Sequence, residues 1–197
     1  ALVAIAMQSV NALGAAHEAG VIHRDLKPGN ILITRNERGG LLVKIVDFGL
    51  ARFLQADRDE LTRTGELVGT PRYMSPEQAR GSRSIDETTD LYALGVIIYE
   101  FITGKTLFDA EVATAVALMH ITEPVPPLVC RDGINVPPGF EAVLRKFLSK
   151  DQGARYTDAK QAHAALAEFL PRASKHAQTD VDIARGTIAA ELDGPKL

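Results

Sequence analysis

The stretch HRDLKPGN, at positions 23 to 30, brings together side chains whose types and spacing could do chemistry. A positive, a negative and a positive charge follow in close succession and the chain then turns at Pro-Gly, a combination that a helix interior or a buried strand rarely contains. Side chains two positions apart in an extended loop project to the same side, so the carboxylate of Asp25 and the ammonium of Lys27 can act on one group. Asn30 and, further along the chain, Asp47 offer the hard oxygen ligands that Mg²⁺ prefers.

A helix and a hairpin are predicted to position this loop. Apolar residues recur at three- and four-residue steps from Leu2 to Glu18, and Gly20 follows as a C-terminal stop, which predicts a helix leading into the loop. After the loop, the apolar β-branched runs Ile31–Ile33 and Leu41–Val46 are separated by the polar stretch TRNERGG, which predicts a β-hairpin.

The rest of the chain is predicted to be mainly helical. Phe48 to Pro76 is polar and aperiodic, so it is predicted to be a long functional loop, with a disordered insertion as the alternative. Thr88, Thr89 and Asp90 are predicted to cap an apolar helix from Leu91 to Ile102, which Gly104 closes. Three further helices are predicted over Ala110–His120, Phe140–Leu148 and Asp158–Leu170. A polar tail, Arg172–Leu197, follows them.

Composition places the chain among soluble globular domains. Its 197 residues are 46% hydrophobic and 24% charged, and the net charge of -3 with scattered Arg and Lys disfavours nucleic-acid binding. The lone Cys130 indicates a reducing compartment, and the longest apolar run is interrupted by Glu100 and falls short of the ~20 residues that span a bilayer. A cytoplasmic location is expected. Four histidines lack partners at metal-ligand spacing and are predicted to be surface or core residues: His17, His120, His163 and His176.

Separated motifs in a fixed order resemble one known family. HRDLKPGN matches the pattern H-R-D-L-x-x-x-N, VDFGLAR at positions 46 to 52 supplies D-F-G, and GTPRYMSPEQ at positions 69 to 78 lies where an A-P-E element belongs. Together they resemble the C-terminal lobe of a eukaryotic-type (Hanks-type) serine/threonine protein kinase, particularly its bacterial members, over residues 1–170. The resemblance implies an α+β, mainly α, kinase-like fold, in which a helical body carries a small β-hairpin at the catalytic cleft and residues 171–197 form a weakly ordered tail or linker.

The resemblance also implies a reaction, the transfer of the γ-phosphoryl group of ATP to Ser or Thr hydroxyls of protein substrates. Such a transfer needs alignment and charge neutralisation more than covalent chemistry. Asp25 would take the proton of the hydroxyl and Lys27 would neutralise the phosphoryl group. Asn30 and Asp47 would hold Mg²⁺, and Leu32 would form the apolar floor beneath adenine. Taken singly, Asp25 could be only a turn carboxylate and Asn30 only an Asx-turn residue.

Structural roles follow from the same resemblance. His23 is expected to pack beside Phe48 in the stack that aligns the two lobes rather than to perform acid–base work. Asp90 is expected to grip the backbone of the catalytic loop, with a simple helix cap as the alternative. Glu77 and Arg155 are expected to form a buried structural salt bridge, although both could be solvated surface charges.

Regulation is expected on the loop after D-F-G. Arg24, beside the catalytic aspartate, is expected to pair with a phosphate that arrives on that loop. Thr62 and Thr64, in LTRTGELVGT, resemble the double autophosphorylation site of bacterial receptor-type kinases. Thr70 is expected instead to be a structural hydroxyl that contacts the catalytic residues. A homodimer for autophosphorylation is compatible with this pattern.

Several kinase elements have no counterpart in the sequence. No G-x-G-x-x-G occurs, and LVAIAMQ at positions 2 to 8 has Ala6 where a strand lysine would be needed. The chain is therefore expected to be a C-terminal lobe without its N-terminal lobe, inactive by itself, and either cytoplasmic or the cytoplasmic part of a membrane receptor kinase. The alternative is a non-catalytic kinase-like binding module, which has no physical need for a Mg²⁺ site.

Overall fold

A computed structural model describes residues 2–37, 39–48 and 71–170 of the protein. Helix α1 spans Leu2–Glu18, as predicted. Gly20 follows it with φ 76°, a left-handed conformation that a glycine adopts without strain, and its N–H donates to the carbonyl oxygen of His17 at 2.9 Å. The helix therefore ends where the sequence predicts, and the chain turns into the loop HRDLKPGN.

The predicted hairpin is present and lies against α1. Strand β1 (Ile31–Arg35) pairs antiparallel with β2 (Leu41–Ile45), with Ile33 opposite Val43. The side chain of Gln8 on α1 donates to the carbonyl of Leu41 at 2.9 Å and accepts from the N–H of Val43 at 2.9 Å. These two bonds satisfy the outer edge of β2 and fix the hairpin to the helix.

Two short helical elements that the sequence does not predict lie at the C-terminal end of the predicted loop, Phe48 to Pro76. A 3₁₀ turn spans Pro71–Tyr73 and a short helix α2 spans Pro76–Ala79, while residues 49–70 lie outside the described residues. Ser75 caps α2, since its hydroxyl accepts from the N–H of Gln78 and its own N–H donates to the Gln78 side chain. This reciprocal cap explains why a stretch without hydrophobic periodicity still forms a helical turn.

Helix α3 begins earlier than predicted. It spans Thr88–Thr103, so Thr88, Thr89 and Asp90 form its first turn rather than a cap before it. The carboxylate of Asp86 takes the capping role, because it accepts from the N–H of Thr88 at 2.9 Å and from its hydroxyl at 2.6 Å. Gly104, with φ 69°, ends the helix as predicted.

Helices α4, α5 and α6 complete the described body. They span Ala113–Thr122, Phe140–Phe147 and Ala159–Ala167. The prediction starts α4 three residues early and carries α6 three residues past its end at Ala167. The side chain of Asp158 caps α6 by accepting from the N–H of Gln161 at 2.8 Å.

The core is built around α3, which is buried along almost its whole length. A helix that is apolar on every face belongs in the centre of a domain. A Cβ added to Gly95 would lie 2.8 Å from the Cβ of Phe147, so α3 and α5 touch backbone to side chain there. Gly14 brings α1 equally close to α6, at Ala159. In the described part of the chain, no helix combines the length and apolar character needed to cross a membrane.

Candidate active site

The loop after α1 is held from below by one buried carboxylate. Asp90, fully buried in the first turn of α3, accepts from the N–H of His23 at 2.9 Å and from the N–H of Arg24 at 2.8 Å. Arg24 has φ 65°, a backbone conformation that is rare for residues other than glycine. Asp90 therefore contacts the backbone of the loop HRDLKPGN, the contact expected from the sequence, and it holds the chain directly before Asp25.

His23 connects the loop to the chain that follows β2. Its ring is buried, Nε2 lies 2.9 Å from the carbonyl oxygen of Val46, and the ring meets Phe48 edge to face at 5.0 Å. A carbonyl only accepts, so Nε2 donates and Nδ1 is left to accept the N–H of Asp25 at 3.3 Å. His23 is thus a core histidine beside Phe48, as expected, and it links the positions of Asp25 and Asp47.

Asp25 and Lys27 meet at the open end of the loop. The Lys27 ammonium donates to the Asp25 carboxylate at 2.7 Å, and the two side chains are 37% and 48% exposed. Both therefore face the same side of the loop and remain open to solvent. The Asp25 backbone is also held, because the side-chain amide of Asn30 donates to its carbonyl oxygen at 3.1 Å.

Asn30 and Asp47 are brought together by the backbone. The N–H of Val46 donates to the carbonyl of Asn30 at 3.0 Å, which places Asp47 one residue away from that contact. Because the Asn30 nitrogen is committed to Asp25, its side-chain oxygen is the atom left for a ligand. Asp47 is exposed and takes part in no ion pair within the described residues.

The side-chain oxygens of Asn30 and Asp47 suit a hard cation that also binds ligands from outside the protein. The described residues contain no group of three or more His, Cys, Asp or Glu side chains that could hold a metal ion. Mg²⁺ prefers oxygen ligands and is usually bound through one or two protein oxygens, with phosphate and water completing its shell. One amide oxygen and one carboxylate, from Asn30 and Asp47, match that mode of binding.

A chain of buried and partly buried hydrogen bonds supports the loop from the other side. The Gln78 amide donates to the carbonyl of Arg24 at 2.6 Å, and Gln78 also forms the reciprocal cap with Ser75. The Ser75 hydroxyl contacts that of Thr89 at 2.6 Å, and Thr89 donates to Glu77 at 2.7 Å. The backbone of Arg24 is therefore held at both its N–H and its carbonyl.

This network ends at the salt bridge expected from the sequence. Arg155 donates to both carboxylate oxygens of Glu77, each at 2.7 Å, and to the carbonyl oxygens of Ser149 at 2.8 Å and Thr88 at 3.3 Å. Burial acts to raise the pKa of Glu77, but the hydrogen bonds and charge of Arg155 outweigh it and hold the pKa below 4.5. The pair is ionised and buried, so it is structural rather than surface charge.

Several residues of this framework were missed in the sequence. His17, predicted only to be a surface or core residue, is a core residue with 6% of its side chain exposed, and its Nε2 donates to Asp90 at 2.8 Å. The bonds of Ser75, Gln78 and Thr89 are not predicted from the sequence either. Their contacts join elements far apart in the chain, and no local spacing in the sequence indicates such contacts.

The remaining predicted positions lie on the hairpin or outside the described residues. Leu32 lies on β1 with 49% of its surface exposed, on the open face of the hairpin. Thr62, Thr64 and Thr70 lie outside the described residues, as does the predicted tail from residue 171. Their roles stay predictions.

Comparison with known proteins decides the family. The model of the protein kinase domain matches residues 1–168 of this chain. The chain belongs to the protein kinase family. The described residues form a mainly α architecture with a small antiparallel hairpin, which is a kinase-like fold.

Similar proteins are bacterial serine/threonine kinases. The chain is 44% identical over 168 residues to serine/threonine-protein kinase pkn3 of Myxococcus xanthus, covering 84% of this chain and 30% of that kinase. It is 41% identical over 163 residues to PknB of Mycolicibacterium smegmatis, covering 82% and 25% of the two chains. It is 36% identical over 191 residues to PknB of Mycobacterium tuberculosis, covering 94% of this chain and 29% of that kinase. The chain therefore spans less than a third of the length of these kinases.

Proposed function

We propose that this protein is a serine/threonine kinase that transfers the γ-phosphoryl group of ATP to protein hydroxyls. The observation that carries the proposal is the solvent-facing pair of Asp25 and Lys27, 2.7 Å apart, on a loop whose backbone is fixed by Asn30, Asp90 and Gln78. Rigid positioning of a base and a cation is what phosphoryl transfer requires from a protein. A binding module would not need it, so the alternative is not favoured.

In the proposed reaction the acceptor hydroxyl donates its hydrogen bond to the Asp25 carboxylate. As the oxygen of that hydroxyl bonds to the γ-phosphorus, the bond from phosphorus to the β-phosphate oxygen breaks, ADP leaves, and the hydroxyl proton passes to Asp25. Lys27 lies within reach of the same point and neutralises negative charge on the phosphoryl oxygens. Mg²⁺, when bound by Asn30 and Asp47, supplies further neutralisation of the phosphates.

The adenine side of the site is proposed to need residues beyond these 197. Leu32 on β1 exposes 49% of its surface, and an exposed apolar side chain at this place is suited to lie beneath a nucleobase. The sequence contains no glycine-rich phosphate loop and no strand lysine of the family pattern. We therefore assign residues 1–170 to the C-terminal lobe and expect the other lobe to cover the second face of the nucleotide.

Two further features of the proposal concern where the kinase acts and with which partner. The use of ATP and the single cysteine, Cys130, support a cytoplasmic site of action. A second copy of the protein is the proposed partner for autophosphorylation.

Control of the activity is proposed to involve phosphate on Thr62 and Thr64. A phosphate brings about -1.5 to -2 charges, and Arg24, beside the base, is the proposed partner for it. Mass spectrometry of the active protein should find phosphate on these two threonines. Phosphate only at other positions, together with full activity of the Thr62→Ala, Thr64→Ala double variant, would contradict this part of the proposal.

The acceptor specificity can be tested directly. The protein with its complete nucleotide site is incubated with Mg²⁺, ATP and a generic basic protein, and the phosphorylated side chains are identified by mass spectrometry. We expect phosphoserine and phosphothreonine without phosphotyrosine. Phosphotyrosine as the main product would contradict the proposed acceptor class, and no transfer of the γ-phosphate at all would contradict the proposed activity.

A further inference from the structure

Gln8 on α1 bonds to β2 as a residue of a third strand would. The sheet of the described residues has two strands, and the N–H of Val46 donates across it to the carbonyl of Asn30 at 3.0 Å. Backbone groups of a strand alternate in direction, so those of Leu41 and Val43 point away from β1. The Gln8 side chain accepts from the Val43 N–H and donates to the Leu41 carbonyl, each at 2.9 Å, which is how a parallel neighbour would bond.

The position of β2 depends on these two bonds. The bond to Val43 is buried, since Gln8 is 9% exposed and Val43 is 1% exposed. A buried backbone donor that loses its partner destabilises the fold by more than the bond itself contributed. A two-stranded hairpin is also only marginally stable unless it packs against another element. Gln8 is therefore the anchor of the hairpin on α1.

The anchored strand leads directly into the proposed metal site. β2 ends at Ile45. The next residue, Val46, is bonded to Asn30 through its N–H and to the His23 ring through its carbonyl, the latter at 2.9 Å. Asp47 follows with φ 62°, a conformation that persists only where the surroundings fix the chain. A displacement of β2 therefore moves both proposed Mg²⁺ ligands, Asn30 and Asp47.

Helix α1 also holds the base side of the site, at a separate point. His17, nine residues after Gln8, donates to Asp90, which bonds the backbone just before Asp25. At a rise of 1.5 Å per residue, Gln8 and His17 are about 13 Å apart along the helix. Loss of the Gln8 amide therefore releases the metal side and leaves the hold on Asp25 in place.

We propose that Gln8 is a positioning residue for the bound Mg-nucleotide. It acts through β2, which places Asn30 and Asp47 relative to the loop that carries Asp25. The inference rests on the proposed kinase function and deepens it, because it divides the site into a nucleotide side held by Gln8 and a base side held by Asp90. Gln8→Met is the test variant, since it keeps the length and helix propensity of the side chain but removes both bonding groups.

The first measurement needs neither nucleotide nor turnover. The protein with its complete nucleotide site is labelled with ¹⁵N-valine, and hydrogen exchange of the Val43, Val46 and Val96 amides is followed by NMR. Their signals are identified by their loss in the corresponding isoleucine variants. In Gln8→Met we expect Val43 and Val46 to exchange about tenfold faster relative to Val96, which lies in the buried helix α3 and reports any general loss of stability.

The second measurement separates positioning from a merely structural role by kinetics. With a generic basic protein as acceptor, KM for Mg-ATP should rise about fivefold to tenfold in Gln8→Met, while kcat changes less than about twofold because the base side is retained. Gln161→Met makes the same substitution at an exposed residue of α6 and should change neither parameter. Gly95→Ala, which crowds the contact of α3 with α5, should lower the unfolding temperature without raising KM.

A milder variant keeps the test valid if Gln8→Met does not fold. Gln8→Asn retains the amide on a side chain one carbon shorter and should give the same pattern with changes of about threefold. The proposal is overturned if Val43 and Val46 exchange no faster relative to Val96, if Val43 alone is affected, if KM is unchanged, or if kcat falls as much as KM rises. Absence of transfer by the wild type would contradict the proposed function, and the exchange of Val46 would then decide by itself whether Gln8 fixes the site.

Discussion

At the scale of single residues, the candidate site rests on two strained backbone positions. Arg24 has φ 65° and Asp47 has φ 62°, values that non-glycine residues rarely adopt. Such strain persists only where the surroundings fix the chain on both sides. The Arg24 N–H and carbonyl are bonded to Asp90 and Gln78, and Val46, just before Asp47, is bonded through both its N–H and its carbonyl. The proposed base and metal ligand are thus held by their neighbours' backbones.

His120 is predicted to stay neutral in the folded protein down to acidic pH. It is fully buried, Nε2 donates to the carbonyl of Arg72 at 3.1 Å and Nδ1 accepts from Tyr92 at 2.9 Å. Burial, together with the charge of Lys150, lowers its pKa from 6.5 to about 4. NMR titration of the His120 ring should give a midpoint near that value, and a midpoint near 6.5 would contradict it.

The same shift has a consequence for stability, and its sign follows from proton binding. Between pH 6.5 and 4 the unfolded chain binds a proton at His120 that the folded chain does not. The stability due to neutral His120 is therefore complete above pH 6.5 and falls as the pH is lowered towards 4, by on the order of 3 kcal/mol. In His120→Gln this part of the pH dependence of unfolding should disappear.

At the scale of elements, the Glu77–Arg155 pair joins α2 to the turn before α6. Glu77→Gln should destabilise the protein by about 3 kcal/mol or more in urea unfolding at pH 7, because it leaves Arg155 buried without its counter-charge. The folded pKa of Glu77 lies below its ordinary 4.5, so the stability it provides is present above pH 4.5 and is lost as the pH falls through the lowered pKa. Glu77→Gln should not show this loss of stability at acidic pH.

Glu141→Gln is the matched control for this prediction. Glu141 pairs with Arg145 one turn away on α5, but the two side chains are 46% and 44% exposed. Exposed pairs contribute little, so this variant should lose less than about 1 kcal/mol. Equal losses in the two variants would contradict a special role of the buried pair.

The contact of α3 with α5 gives a second prediction at this scale. Gly95→Ala should destabilise the protein by about 1–3 kcal/mol, because the new methyl group would lie 2.8 Å from the Cβ of Phe147, which cannot move away without its helix. This loss opposes the gain of about 1 kcal/mol that alanine normally brings to a helix. Gly153→Ala, where the nearest atom is 3.6 Å away, should be close to neutral. A stabilised Gly95→Ala would contradict the tight contact.

Elements were predictable where the signal is local. Helix α1 and its stop at Gly20 follow from apolar periodicity and a left-handed glycine, and the hairpin follows from two apolar runs around a polar turn. The start of α3 was wrong because Asp86, two residues before the helix, supplies the cap. Helix α2 was missed because four residues are too few to show a period, and its stability comes from Ser75 and Gln78.

At the scale of the whole molecule, one network connects the site to the body of the fold. It runs from the Arg24 carbonyl through Gln78, Ser75 and Thr89 to the pair of Glu77 and Arg155. The neighbouring Asp90 adds a bond to His17. The order of motifs in the sequence was sufficient to predict the candidate catalytic residues, since each lies within a short pattern. The network could not be predicted, because its members are separated by up to 78 residues and meet only in the folded chain.

The central claim, that Asp25 is the base of a phosphoryl transfer, is tested most directly by Asp25→Asn in the protein with its complete nucleotide site. The substitution keeps the size of the side chain, but an amide cannot accept the proton of the acceptor hydroxyl. Transfer of γ-phosphate and the dissociation constant of Mg-ATP are measured in parallel for both proteins. We predict a loss in kcat of about 10²-fold to 10⁴-fold with nucleotide affinity and thermal stability close to wild type. A variant that phosphorylates its acceptor at a near wild-type rate would contradict the account.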